Sequence, residues 1–539
     1  MAENRDRPRG RSAFPWILGL AVVLGAWLRF DQLLAQIPAD DEWHALRAVW
    51  EHDFAWIFTH FGISDYSIPL ALYDELLANT IGLGELGLRL PMLAGGLATI
   101  VLVPVLVRPL VGGRAAGSLA LLIATSPMLV YFSRYARPYA PATLAAVCAL
   151  IAAWRWREEG GGRWAGLYAA GAVLAVWLLP VYGPLVAAPG AFLFAEGLLR
   201  PRRAPHAASR VLLLGLLVGL ALAALLGPAL LNDFGSLTDK MAGRRGIDLE
   251  TLRQVASLYS GTGDPRLWGV VLAAAFVGGL VVLRRAPLLV AFVAWALLVQ
   301  LAVLVATRPD KINSGITCGR YLLPFQPLLL LAVAVALGEL DRLLRLPAAV
   351  PVGALALGSA LFVDGPLPGE LARPNDFTNH AWHQYYYDAE SRAGLVDYWG
   401  RHRQQLPPFY LQLAELEPGS VHLLETPWFY SWHRIKLREA QAVHHQHVAV
   451  GFLGRDLNLG NELPLGGEFR FRTFVDVGDY DEIVRRGFDY VVFHNDLTRE
   501  LKKSAPLVHI RLGTHLEEYR ARFGPPVYED KRLTVFAVR

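Results

Sequence analysis

GELGLRLPMLAGGLATI, residues 84–100, leads into an apolar run that starts near residue 88 and reaches Arg108. That is close to the roughly 20 residues a helix needs to cross a bilayer. Comparable runs begin near residues 14, 114, 139, 164, 182, 211, 266, 287, 321 and 346, which predicts about eleven transmembrane helices. The composition agrees: 54% of the 539 residues are hydrophobic and only 18% charged, against about 25% charged in soluble domains. The mean hydropathy is +0.33. Beyond about residue 364 the chain turns polar, with strand-like patches. The expectation is a polytopic α-helical membrane domain over 1–363 and a soluble α/β domain over 364–539.

A formal net charge of +4 is small for this length, and the arginines sit in short segments between apolar runs, so nucleic acid is not an expected partner. The two cysteines, Cys148 in an apolar run and Cys318 in a loop, form no metal spacing and no disulfide framework.

Placing the N-terminus in the cytoplasm makes every inside segment basic: Arg5 to Arg11, Arg108 and Arg114, Arg155 to Arg163, Arg200 to Arg210, Arg284 with Arg285, and Arg342 with Arg345. The same assignment exports the first loop (31–87), the 232–265 and 307–320 loops and the C-terminal domain. A multi-pass protein of the inner, cytoplasmic membrane is expected, its C-terminal domain periplasmic or extracellular. A cleavable signal peptide over 1–36 is the rival reading of the N-terminus, and it leaves the exported loops unchanged.

The first exported loop carries ADDEWHALRAVW, residues 39–50. Beyond its acidic triplet, Trp43, Leu46, Trp50, Phe54 and Ile57 recur at helical spacing, which predicts one interfacial helix with its aromatic residues buried. A second is predicted from Pro69 to about Gly82, opened by its proline.

Four features in order, the acidic pair after the first span, GELGLRLPMLAGGLATI, SPMLVYFSRYARPYA at 126–140 and GRYLLPFQPLLLL at 319–331, resemble the GT-C glycosyltransferases of the protein-mannosyltransferase and aminoarabinose-transferase type. The resemblance covers roughly residues 14–363. It implies transfer of a monosaccharide from a polyprenyl-phosphate-linked donor to an exported acceptor: a lipid, a glycan or a protein hydroxyl. Where that family often has a lysine-proline-proline segment, this chain has DYSIPLALYDE at 65–75.

Such a transfer needs a base for the acceptor hydroxyl and positive charge for the departing phosphate. Asp41 matches the family's acidic position and is the expected base; Asp40 and Glu42 are its catalytic neighbours. Three adjacent carboxylates act as a tuned base, as a divalent-cation site for magnesium or manganese, or as a helix cap and acidic first turn. Arg134, Arg137 and Tyr139 are expected at the lipid phosphate, because a guanidinium grips phosphate oxygens with two parallel donors. Their other reading is as interface anchors alongside Tyr131 and Tyr135. Arg320 and Tyr321 come next, then Lys240, Arg244 and Arg245 on a mobile basic loop. Asp65, Asp74 and Glu75 are candidates for sugar or acceptor hydroxyls, and Asp74 and Glu75 read equally as the polar face of the second interfacial helix.

In the C-terminal domain, SVHLLET, HVAVGFL, FDYVVFH and RLTVFAV read as strands, and YDEIVRRG as a helix stopped by glycine. Eleven of the fifteen histidines lie there, among them His444, His445 and His447, whose side chains alternate faces. A transporter or flippase for a lipid-linked or anionic substrate is the alternative function. Transporters favour ionisable groups at the bilayer midplane and internal repeats, and here the charges lie at the exported interface without a duplicated half.

Overall fold

The computed structural model describes residues 13–30, 33, 42, 45, 48–49, 52–61, 67–83, 85–200, 208–238, 245–262, 264–344, 349–364, 406–426, 440, 443–452, 474–495 and 506–539. The first part is helical: α1 (Phe14–Phe30), two short helices α2 (Phe54–Thr59) and α3 (Ile68–Ala78), then α4 (Glu85–Val111), α5 (Gly113–Thr125), α6 (Pro127–Arg134), α7 (Tyr139–Glu159) and α8 (Gly162–Leu178). It continues through α9 (Gly183–Leu199), α10 (Ala208–Thr238), α11 (Leu249–Ser260), α12 (Pro265–Arg285), α13 (Pro287–Thr307), α14 (Gly315–Tyr321), α15 (Gln326–Leu344) and α16 (Ala349–Asp364).

Small residues decide which helices lie inside. Every residue of α5 from Ala115 to Thr125 is buried, and α7 buries nearly all of YAPATLAAVCALIAAW. Alanine and glycine let backbones approach closely, which is how helices associate where apolar side chains gain nothing by leaving lipid. Accordingly α5 packs between α1, α4, α15 and α16. The outer helix α10 instead exposes Leu212, Leu213, Leu216, Leu217 and Leu220 on its outer surface.

Among the described residues, six helices are long and apolar enough to cross a membrane, or seven if α5 and α6, bent by 56°, make one span. Each of the eleven expected starts coincides with a helix, but α1, α8 and α16 have only 17, 17 and 16 residues. The expected count of about eleven spans is not confirmed.

Three other expectations change. The periodic stretch through Phe54 and Ile57 is not one helix: it breaks at Asp53, whose carboxylate caps α2 by accepting from the Trp56 N–H at 2.8 Å. Phe54 is then exposed while Ile57 is buried. The 232–265 segment is not simply a loop, because α10 runs to Thr238, with a kink at Asp233, and α11 occupies 249–260. Cys318 lies in α14, buried, rather than in a loop.

The second part holds a six-stranded sheet in the order β3-β2-β1-β4-β6-β5. Its strands are β1 (His422–Thr426), β2 (His447–Phe452), β3 (Phe474–Asp476), β4 (Tyr490–His494), β5 (Tyr528–Glu529) and β6 (Leu533–Ala537). Strands β1 to β4 run parallel to one another, and β6 is antiparallel both to β4 and to the edge strand β5. The four strands and the helix expected from the sequence are present; the three-residue β3, the two-residue β5 and the helices α17 (Pro408–Leu413) and α19 (Pro506–Phe523) were not expected. Alternation sorts the faces: Leu424, Val491 and Phe493 pack beneath α18 (Tyr480–Arg485) and α19, while Leu423 and Val492 face α17.

Candidate active site

The site is built where α5 breaks. Pro127 cannot donate to the helical ladder, so α5 stops at Thr125 and α6 starts anew with proline in its first turn. The break is pinned from outside: Gln326 Nε2 donates to Ser126 Oγ at 2.9 Å and to the Tyr259 carbonyl at 3.2 Å. Gly261, at φ +75°, closes α11 against Pro127, and any Cβ there would lie 2.7 Å from the proline ring. The whole of α6 is buried, and it ends at Arg134.

Between Arg134 and Tyr139 the chain is irregular: the Tyr135 N–H bonds back to the Tyr131 carbonyl and the Arg137 N–H to the Tyr135 carbonyl, and the Ala136 N–H bonds outward. Glu42 of the acidic triplet takes it: its Oε1 accepts from the Ala136 N–H at 2.8 Å. The Arg89 guanidinium lies 3.6 Å from the same oxygen, and both side chains are almost fully enclosed. Arg89 also donates to the Leu33 carbonyl at 3.1 Å. Arg134 donates to the Leu28 carbonyl at 3.0 Å, and Arg29 donates to Ser133 Oγ at 3.1 Å and to the Ala124 carbonyl at 3.1 Å. A Cβ on Gly96 would collide with Ser133 Oγ, so glycine is what admits this arginine layer.

Arg29, Arg89, Arg134 and Arg137 are thus four buried guanidinium groups gathered around the α6–α7 junction, linked through Ser133, Ala136 and Glu42. Burying a cation is costly unless anions accompany it, so this layer suits anionic partners. Arg134 and Arg137 had a second reading as interface anchors; together with Tyr131 and Tyr135 they are enclosed within the protein instead of facing outward.

The other phosphate candidates join the same junction. The Arg320 guanidinium lies over the Tyr139 ring at 5.5 Å and the Tyr321 ring at 5.4 Å. Its backbone carbonyl accepts from Tyr182 Oη at 2.9 Å, and Gln300 bridges the Val181 and Tyr321 carbonyls. Arg320, Tyr139 and Tyr321 therefore form one stacked group, with Tyr139 two residues beyond Arg137 in the chain.

Asp40, Asp41, Asp65, Lys240 and Arg244 lie outside the described residues. Arg245 is exposed. The segment after it is anchored rather than loose: Asp248 and Thr251 form a reciprocal cap, Thr251 Oγ1 donates to the Asn313 carbonyl at 2.8 Å, and Tyr259 Oη donates to the Gly319 carbonyl at 2.9 Å.

Helix α3 turns its carboxylates inward. Asp74 and Glu75 are buried while Leu76 and Ile81 are exposed, so the reading of these acids as a solvated polar face is overturned. Desolvation holds the Asp74 carboxyl well above the usual range and raises Glu75 too, with Asp53 adding repulsion and the Asn79 amide partly offsetting it. Glu75 Oε1 accepts from Asn79 at 2.9 Å. Among the described residues no three His, Cys, Asp or Glu side chains converge as metal ligands.

Arg29 and Arg89 were absent from the sequence-derived site. The available signal was their position: an arginine within or beside an apolar run is expensive to expose to lipid and so points into the protein.

No protein-family model matches the chain, and no curated protein matches it by sequence. Solved structures do. ArnT from Cupriavidus metallidurans in the apo state superposes with a TM-score of 0.50 at 13% identity, covering 97% of both chains. ArnT bound to undecaprenyl phosphate gives 0.51 at 14% identity, covering 98% of this chain and 99% of that one. The fold is GT-C. The archaeal oligosaccharyltransferase AglB from Archaeoglobus fulgidus, in complex with an inhibitory peptide and a dolichol-phosphate, gives 0.45 at 15% identity, covering 95% of this chain and 73% of that one. Within this GT-C fold, Glu42 meets the α6–α7 junction.

Proposed function

We propose that the chain is an integral-membrane glycosyltransferase that moves a monosaccharide from a polyprenyl-phosphate carrier to a hydroxyl of an exported lipid, glycan or protein. The observation that supports this reading is the bond from the Ala136 N–H to Glu42, the chain neighbour of Asp41, at the arginine-rich junction. The structure of ArnT with undecaprenyl phosphate supports the donor class. The acceptor oxygen attacks the anomeric carbon, the carbon–oxygen bond to phosphate breaks, and the acceptor proton passes to Asp41. Arg134 and Arg137 hold the charge that accumulates on the departing polyprenyl phosphate, with Arg320, Tyr139 and Tyr321 beside them. Glu42 positions the triplet, and Asp74 serves sugar or acceptor hydroxyls. The membrane part is assigned to 1–363 and the exported part to 364–539, with the site on the non-cytoplasmic side of the inner membrane.

The test is Asp41→Asn in reconstituted membranes. Transfer should fall by about 10²-fold or more while the lipid-phosphate donor still binds; near-normal turnover removes Asp41 as the base. Transfer assayed in chelator, with magnesium or manganese added back, decides whether the triplet works with a cation.

A further inference from the structure

Arg29 is a buried cation that no acid answers. Arg89 has the Glu42 carboxylate at 3.6 Å. The Arg29 side chain is fully enclosed, yet among the described residues no carboxylate pairs with it and its Nη2 has no hydrogen-bond partner. A guanidinium so placed is strongly unfavourable unless negative charge of another kind surrounds it.

What surrounds it is helix ends. Arg29 lies in the last turn of α1, and its Nη1 reaches across to the carbonyl of Ala124 in the last turn of α5. The final carbonyls of a helix lack an intrahelical donor, and each C-terminus carries roughly half a negative charge. Two such ends supply about the one charge that the guanidinium needs. The second end exists only because α5 stops at Thr125 and α6 leaves at 56°. Two glycines make the slot: a Cβ on Gly25 would collide with Ile100, and one on Gly96 would lie 3.1 Å from Arg29 Nε and 2.6 Å from Ser133 Cβ. Arg134, the last residue of α6, returns the bond by donating to the Leu28 carbonyl at 3.0 Å, while Arg29 Nε donates to Ser133 Oγ at 3.1 Å. Adjacent residues on α1 and α6 thus exchange bonds in both directions, which fixes one helix against the other.

We propose that Arg29 is a positioning residue: its charge holds α5 broken, and its bond to Ser133 sets Arg134 where the lipid phosphate is met. It acts through Ser133 and Arg134 and not on the substrate. The inference rests on the donor class proposed above, because Arg134 is taken there as a ligand of the polyprenyl phosphate.

The full-length protein, reconstituted in membranes, is followed by Tm, by its affinity for undecaprenyl phosphate and by hydrogen exchange over residues 126–139. Arg29→Gln should lower Tm and affinity and speed exchange in that segment. Arg29→Lys keeps the charge between the helix ends without the planar fork, and should recover the Tm but not the affinity. Ser133→Ala should leave Tm nearly unchanged and weaken binding by about tenfold, the size of one charge-assisted hydrogen bond. Combined with Arg29→Lys it should cost no more than Arg29→Lys alone, because both changes cut the same link. Affinity restored by lysine, normal affinity in Ser133→Ala, or losses that multiply in the double variant overturn the positioning role. A wild-type chain that does not bind undecaprenyl phosphate overturns the donor class instead, and exchange left unchanged by Arg29→Gln overturns the hold on the break separately. Should Arg29→Gln fail to fold, exchange in Ser133→Ala, which should also rise, takes its place.

Discussion

At the scale of single residues, the bond between Glu42 and the junction is the one that a change of charge should expose. Glu42→Gln keeps the acceptor oxygen for the Ala136 N–H but removes the carboxylate facing Arg89. A buried arginine deprived of its counter-ion costs several kcal/mol, about 3–5 in measured cases. The variant is therefore expected to lose both thermal stability and transfer, with rescue by Glu42→Gln/Arg89→Gln in stability alone. Arg134 and Arg137 could be named from the sequence because two arginines on a proposed exported edge conflict with the usual charge bias. Arg29 and Arg89 read as ordinary helix ends until Ser133 and Glu42 are brought to them. His444 is a second residue whose behaviour is set by packing. Its Nδ1 accepts from the Gln446 N–H at 2.9 Å, its ring stacks on Tyr410, and burial, with repulsion from His445, lowers its pKa from 6.5 to about 3. The unfolded chain then binds the extra proton between those values. The sheet should hold its full stability above pH 6.5 and lose about 1.4 kcal/mol per pH unit as pH falls toward 3. Hydrogen exchange in β1 and β2 at pH 7.5 and pH 5, corrected for intrinsic rates, checks this, and His444→Gln should flatten the dependence.

At the scale of elements, legibility followed hydropathy. Long apolar helices and strands rich in β-branched residues were visible; α11 was not, because LETLRQVASLYS is too polar for a hydropathy window although Thr251, Val255, Leu258 and Tyr259 all turn inward. The reciprocal cap at Asp248 and Thr251 was legible only with hindsight from Asn313, its partner 62 residues away. Similarly, α3 looked like an amphipathic surface helix, and its acids were buried by α2, α4 and α8 packing on the wrong side for that reading. The docking of α11 depends on its last turn. Gly261→Ala forces a side chain into a left-handed backbone, at about 1–2 kcal/mol, and against Pro127. It should loosen α11 and the α5–α6 break together, seen as faster exchange over 249–260 and a fall in transfer, with the C-terminal sheet unaffected.

At the scale of the whole molecule, the bundle separates two kinds of arginine by its ends, those around the α6–α7 junction and those at the opposite helix ends. This separation ties the chemistry to the orientation: if the junction faces the exported side, Arg245 and Val484 must be reachable from outside, and Arg163 and Arg342 must not. All four are exposed. Both native cysteines are buried, and burial raises the Cys318 thiol to about 12, so background labelling should be small. Single cysteines at these four positions, probed with a membrane-impermeant maleimide on intact cells and again after permeabilisation, give the answer directly. Labels at 245 and 484 before permeabilisation, and at 163 and 342 only after it, are expected. The reverse pattern would turn the acidic triplet toward the cytoplasm, where an exported acceptor cannot reach it, and would remove the transfer reaction proposed for this fold while leaving the fold itself intact.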